Sequence, residues 1–171
     1  SGAKLAVRLL EPRRIERRLE DIGLSDDQLE LFKESVTRLS GMFLVTGPVG
    51  SGKTTTLYAL LHELKLTEGN VITLEDPVEY AVAGINQVQV DPDHDLTFAV
   101  GIESMLRLDP DCLLVGEVRD PKSARAALDA AVTGVPLLGT MHSRDAAATL
   151  DTLRHYELPD HELGAVLAIV V

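Results

Sequence analysis

The strongest constraint on this chain is the stretch Gly47-Pro48-Val49-Gly50-Ser51-Gly52-Lys53-Thr54. It fits G-x-x-x-x-G-K-[ST], the spacing of a phosphate-binding loop. Glycines lack a Cβ, so the backbone can take strained dihedrals and come close to a phosphate. Successive backbone N–H groups then point inward and form an anion nest. Lys53 can reach the outer phosphates, and Thr54 can offer its hydroxyl to Mg²⁺. Thr55 completes the candidate binding stretch. The helix that begins at the loop adds its positive dipole end. The flanks agree with this reading. Met42-Phe43-Leu44-Val45-Thr46 is a short apolar run that reads as a buried strand. Leu57, Leu60, Leu61 and Leu64 follow at helical spacing. Strand, glycine loop, helix is the unit the motif requires.

Further apolar runs follow in order. Val71-Ile72-Thr73-Leu74 reads as a buried strand ending in Glu75-Asp76-Pro77. Residues 85–90 alternate in β fashion. Cys112-Leu113-Leu114-Val115 is a third buried strand and ends in Gly116-Glu117. Residues 135–140 form a fourth, ending at Met141-His142-Ser143. Helices are expected over residues 26–39, capped by Ser25, and over 97–108, closed by Asp109-Pro110. Others are expected over 121–132, opened by Pro121 and stopped by Gly134, over 145–156, and from Pro159 onward. Strands alternating with helices predict the α/β class, a mainly parallel sheet covered by helices on both faces. Residues 4–10 read as an isolated strand ending at Pro12, and Ser1-Gly2 as a cloning remnant. The expected division is thus the end of a truncated N-terminal domain over 1–11, a linker and helix over 12–40, and the loop-bearing domain over 41–171. The apolar end Ala168-Ile169-Val170-Val171 reads as a cut through a longer protein.

Composition narrows the function. A chain of 171 residues, 45% hydrophobic and 25% charged, is one soluble domain with a sizeable core. A net charge of −11 weighs against a nucleic-acid backbone as main partner, because that partner wants a basic face. The first 18 residues hold six basic and two acidic side chains, which read as a solvated strand end and helix face or, alternatively, as a contact for a partner or a membrane surface. A single cysteine, Cys112, excludes an internal disulfide and sits in an apolar run, so it reads as core. No apolar run approaches the ~20 residues of a membrane span, so any membrane association would be peripheral.

Hydrolysis needs a metal helper and a group that orients or deprotonates water. Leu113-Leu114-Val115-Gly116-Glu117 fits the Walker B pattern, with Glu117 as the water-activating candidate. Glu75 and Asp76 end another strand, where they would assist with water or hold Mg²⁺. His142 ends a third strand and could sense the γ-phosphate. Arg107 and Arg119 bracket the Walker B strand as candidates for transition-state charge, or as partners of Asp109, Asp111 or Asp120. Asp91, Asp93 and Asp95 have calcium-loop spacing, but Leu96 and Ile102 occupy positions that need glycine and glutamate.

These motifs together resemble the secretion ATPases of the type II secretion and type IV pilus assembly class. Residues 44–59 look like the family's Walker A block, 72–80 its Asp box, 106–111 with 116–120 its Walker B, and 140–146 its His box. The resemblance implies a P-loop NTPase of RecA-like fold that binds ATP and Mg²⁺ and works as a homo-hexamer when full length. It implies a motor that drives pseudopilus or pilus assembly from the cytoplasmic face of the bacterial inner membrane, bound to an inner-membrane platform and not to nucleic acid. The chain departs from the pattern at Val135, where a histidine is usual, and at Ile102-Glu103, where Leu-Arg is usual. Two other readings stay open: a nucleotide-binding scaffold that hydrolyses poorly, and a nucleic-acid-translocating ATPase.

Overall fold

Alternation along each apolar run sends its side chains to two different helix layers. The computed structural model describes residues 18–37, 40–63, 69–79 and 81–170. Strands β1 (Met42–Thr46), β2 (Val71–Glu75), β3 (Asn86–Gln89), β4 (Cys112–Val115), β5 (Leu137–Met141) and β6 (Leu167–Val170) form one sheet. Its spatial order is β3-β2-β4-β5-β1-β6, and each paired neighbour is parallel. The helices are α1 (Asp26–Thr37), α2 (Lys53–Glu63), α3 (Phe98–Met105), α4 (Pro121–Val132), α5 (Ala146–His155) and α6 (Asp160–Val166).

Met42 and Leu44, Ile72 and Leu74, Leu113 and Val115 all face one cluster. There they meet Phe98 and Ile102 of α3, Leu128 of α4, Leu153 of α5 and Leu163 of α6. The intervening residues Phe43 and Val45, Val71, Cys112 and Leu114 face the other cluster. That one is built with Phe32 of α1 and Leu57, Tyr58, Leu60 and Leu61 of α2. Each such large apolar side chain contributes about 1.5–3 kcal/mol when fully buried. The α/β class with helices on both faces is therefore what forms. Leu19 and Phe32 are buried in the α2 layer, so the segment before β1 shares the sheet's core. Cys112 is fully buried, and burial beside Asp111 pushes its thiol up to about 12, which leaves it unreactive.

Element boundaries shift where backbone chemistry intervenes. The helix expected over 97–108 ends at Met105 and continues as one 3₁₀ turn, Leu106–Leu108, because Asp109 turns left-handed (φ 51°) before Pro110. The strand expected from Val135 starts at Leu137, after Pro136, which has no N–H to donate. The apolar end read as a cut contains β6, paired with β1 at the sheet edge. No glycine or proline separates α6 from β6, so the junction carries no sequence signal. The strand expected over 4–10 lies outside the described residues, as do Leu64 and Val171.

The junction before β1 gives a stability prediction. Gly41 has φ +88°, and a Cβ there would lie 2.1 Å from the Val166 carbonyl oxygen. Both atoms of that clash are backbone-fixed. Gly41→Ala is expected to cost at least about 2 kcal/mol, from left-handed strain plus the clash. A urea denaturation midpoint, compared with wild type, checks it.

Candidate nucleotide-binding site

Between β1 and α2 the chain wraps into a tight loop. Gly47, Gly50 and Gly52 have φ of 151°, 81° and 102°, which side-chain-bearing residues rarely adopt. A Cβ on Gly47 would also meet the Ser51 hydroxyl at 2.6 Å. Lys53 begins α2 and folds back over the loop. Its side chain is 9% exposed. Its ammonium donates to the carbonyls of Gly47 (2.8 Å) and Pro48 (2.9 Å) and to His142 Nδ1 (3.2 Å). Burial pushes the amine below its ordinary value, and the charge of Glu117 opposes that shift.

Strand order explains how His142 gets there. β5 lies between the loop strand β1 and the Walker B strand β4. Glu117 is therefore not on a strand next to the loop, and His142, just past β5, fills the gap. Its Nε2 lies 3.2 Å from Glu117 Oε1. An ammonium can only donate, so Nδ1 accepts and the ring's hydrogen sits on Nε2, facing Glu117. Grip and candidate base thus form one chain, Lys53–His142–Glu117. The strand ends beneath are tied together. Val118 N donates to Thr140 O (2.8 Å), Gly116 N to Leu74 O (2.7 Å), and the Thr140 hydroxyl to Gly116 O.

These groups line one cleft of about 380 Å³. The loop side presents Val49, Gly50, Gly52, Lys53, Thr54 and Thr55. The opposite wall is Glu75, Asp76, Pro77 and Glu79 after β2, with Phe98 behind it. Glu117 and His142 close the floor between them.

The sequence candidates divide. Val49, Gly50, Gly52, Lys53, Thr54, Thr55, Glu75, Asp76, Glu117 and His142 come together, while Gly47, Pro48, Ser51, Arg107 and Arg119 do not line the cleft. Arg119 reaches Asp76 at 3.4 Å, not Asp109, Asp111 or Asp120, and rests 5.2 Å over the Phe98 ring. Arg107 is exposed and ion-paired with no described residue. Glu75 is only 4% exposed, and its carboxylate is already surrounded by donors. Thr73 donates at 2.6 Å and Gln87 at 3.1 Å to Oε1, and the Tyr58 hydroxyl donates to Oε2. At the departures, Ile102 is buried in the core and Val135 packs against it, both away from the cleft lining.

Glu79, Pro77 and Phe98 line the cleft, yet sequence reasoning did not single them out. For Glu79 a signal was available: a second glutamate four residues after Glu75, across a proline. Thr54, Asp76, Glu79 and Glu117 all line the cleft with oxygen donors of the type Mg²⁺ takes, although among the described residues no three acidic, histidine or cysteine side chains are grouped closely enough to hold a metal by themselves.

Comparison with known proteins gives the family. The family model described as "Type II/IV secretion system protein" matches residues 1–171. The chain is 44% identical over 153 residues to type II secretion system protein E of Pectobacterium carotovorum subsp. carotovorum, covering 90% of this chain and 31% of that protein. It is 42% identical over 170 residues to the type IV pilus assembly ATPase PilB of Myxococcus xanthus, covering 99% of this chain and 30% of that protein. The crystal structure of the pilus retraction motor PilT with bound ADP superposes with a TM-score of 0.71 at 32% identity, over 86% of this chain and 43% of that one. This chain spans about three tenths of the length of these two curated relatives. A parallel sheet, a phosphate loop on its carboxyl edge and a match along the whole sequence place the chain in the type II/IV secretion system protein family.

Proposed function

We propose that this chain is the ATP-binding and ATP-hydrolysing part of a motor that powers pseudopilus or pilus assembly. The observation that carries the reading is the Lys53–His142–Glu117 chain, which joins phosphate grip to candidate base across three strand ends. The loop amides and Lys53 would hold the β- and γ-phosphates, as the helix N-terminus favours. Thr54, Asp76 and Glu79 would hold Mg²⁺. Bound there, Mg²⁺ neutralises charge on the phosphate oxygens. Glu117 orients the attacking water. An arriving phosphate competes with the Gly47 and Pro48 carbonyls for Lys53, and that movement takes the lysine off His142 Nδ1. His142 thereby registers the nucleotide.

Neither Arg107 nor Arg119 lines the cleft, so the transition-state arginine is assigned to a neighbouring subunit of a homo-hexameric ring. Among the described residues no helix is long and apolar enough to cross a membrane. The proposed location is the cytoplasmic face of the inner membrane, held there by partners. The test is Mg²⁺-dependent ATP turnover by the full-length, ring-competent protein, beside the affinity of this chain for a fluorescent ATP analogue. Binding without turnover in the ring would favour the scaffold reading, and absence of both would overturn nucleotide use.

His142 gives a separate expectation. His142→Ala leaves the loop glycines and Thr54 intact but cuts the link between Lys53 and Glu117. In the full-length protein kcat should fall roughly ten- to a hundredfold, within the range of one lost positioned polar group. KM for ATP should change less than threefold, and steady-state kinetics separate the two.

A further inference from the structure

The carboxylate of Glu75 ends β2 at the cleft, yet it serves the protein more than the cleft. It points to the α2 face of the sheet, the same face as Thr73 two residues earlier. Three elements converge on it: Tyr58 from α2, Thr73 from β2 and Gln87 from β3. Gln87 also donates to the Tyr58 hydroxyl oxygen at 3.3 Å, which closes the ring of contacts. A carboxylate that already accepts from three donors has little capacity left for a metal or a water.

The connections lead outward from this ring in two directions. Tyr58 lies in α2 five residues beyond Lys53, on the rigid helix that begins at the phosphate loop. Glu75 directly precedes Asp76 and lies four residues before Glu79, the two carboxylates of the opposite wall. Gln87 uses its other end, Oε1, to accept from Val82 N at 2.7 Å, and Gln89 Oε1 accepts from Val78 N at 3.3 Å. The wall segment is thereby tied to β3 at two points and to the loop helix through Glu75.

We propose that Glu75 is a positioning residue which, with Tyr58 and Gln87, braces the wall of residues 76–79 against the loop helix α2. It sets the distance between the wall carboxylates and Lys53 and Thr54, and does not itself touch nucleotide, metal or water. The kinetic half of this inference rests on the reading that the cleft hydrolyses ATP, whereas the brace itself does not.

The test uses Tyr58→Phe, Glu75→Gln and the double variant in the full-length protein. Tyr58→Phe removes one hydroxyl and keeps the ring. It should lower kcat roughly five- to thirtyfold with KM for ATP within twofold, the scale of one lost hydrogen bond in a coupled ring. The double variant should lose no more than Glu75→Gln alone, because both changes cut the same ring. Hydrogen exchange without nucleotide gives the independent readout. Amides of residues 78, 79 and 81–85 should exchange roughly tenfold faster in Tyr58→Phe, while those of α4 and β5 keep their wild-type rates. Wild-type turnover and wild-type exchange in Tyr58→Phe would overturn the brace and return Glu75 to a direct role in the cleft. Faster exchange spread over the whole chain would also overturn it, as a general loss of stability. If Glu75→Gln does not fold, Thr73→Val, which removes another donor at constant shape, replaces it with the same expected outcomes. If the wild-type ring turns over no ATP, the hydrolysis reading falls, and exchange alone decides the brace.

Discussion

Lys53→Ala should leave a folded protein that hardly turns over ATP. In the full-length protein, turnover is expected to fall roughly a thousandfold, the upper range for loss of one preorganised charge-stabilising donor. The physical reason lies in where the amine is already held. Its ammonium sits over the loop, 2.8 and 2.9 Å from the Gly47 and Pro48 carbonyls, in the space a phosphate would enter. Burial there disfavours the charged amine, and the charge of Glu117 opposes that. A phosphate supplies negative charge beside the amine, so the electrostatic gain is realised on binding. The same argument limits the structural cost. The amine's charge is disfavoured by its surroundings, and Pro48 is exposed, so water can replace the lost donor at that carbonyl. The melting temperature should therefore move by less than about 4 °C, equivalent to roughly 1 kcal/mol in a domain of this size. A fluorescent ATP titration and a thermal melt, run on the same preparation, check both halves. A protein that melts early would transfer the loss to folding.

Glu117→Gln is the second large effect and divides differently between binding and turnover. The substitution keeps side-chain length and leaves an amide oxygen to accept from His142 Nε2, so the Lys53–His142 contact is preserved. What is lost is the negative charge and the basicity. Turnover should fall roughly a hundred- to a thousandfold, within the range for a general base. ATP affinity should hold or tighten, because one negative charge near the phosphates is gone. The informative comparison is with Glu79→Gln, another glutamate that lines the cleft. Full turnover in Glu117→Gln with loss in Glu79→Gln would move the water-orienting role to Glu79. Loss in both, with binding kept in both, would assign water to one and metal support to the other.

Much of this molecule is legible in its residues, for local reasons. The phosphate loop announces itself because its dihedrals admit only glycine at Gly50 and Gly52, whatever surrounds them. α4 spans the expected residues 121–132 because its start is written locally. Asp120 accepts from Ser123 N at 2.8 Å, and Pro121 opens the first turn. The buried strands are visible as apolar runs, since each is covered on both faces. Legibility fails where the deciding partner is distant in sequence. Nothing near Glu75 indicates that Tyr58 and Gln87 will occupy its carboxylate. Nothing near Arg119 indicates that it will meet Asp76 and lie over Phe98. β6 was missed because an unpunctuated apolar run does not show whether it ends a helix or pairs as a strand.

The sequence alone determined the parallel α/β class, the loop and its lysine, and the set of polar groups that end the strands. Those follow from backbone sterics and from apolar periodicity, which act over a few residues. Only the tertiary structure decided which of those groups meet. Placing β5 between β1 and β4 puts His142 between Lys53 and Glu117. Strand order depends on how separate helices cover the two sheet faces. No single segment encodes it, because the covering side chains come from residues far apart along the chain.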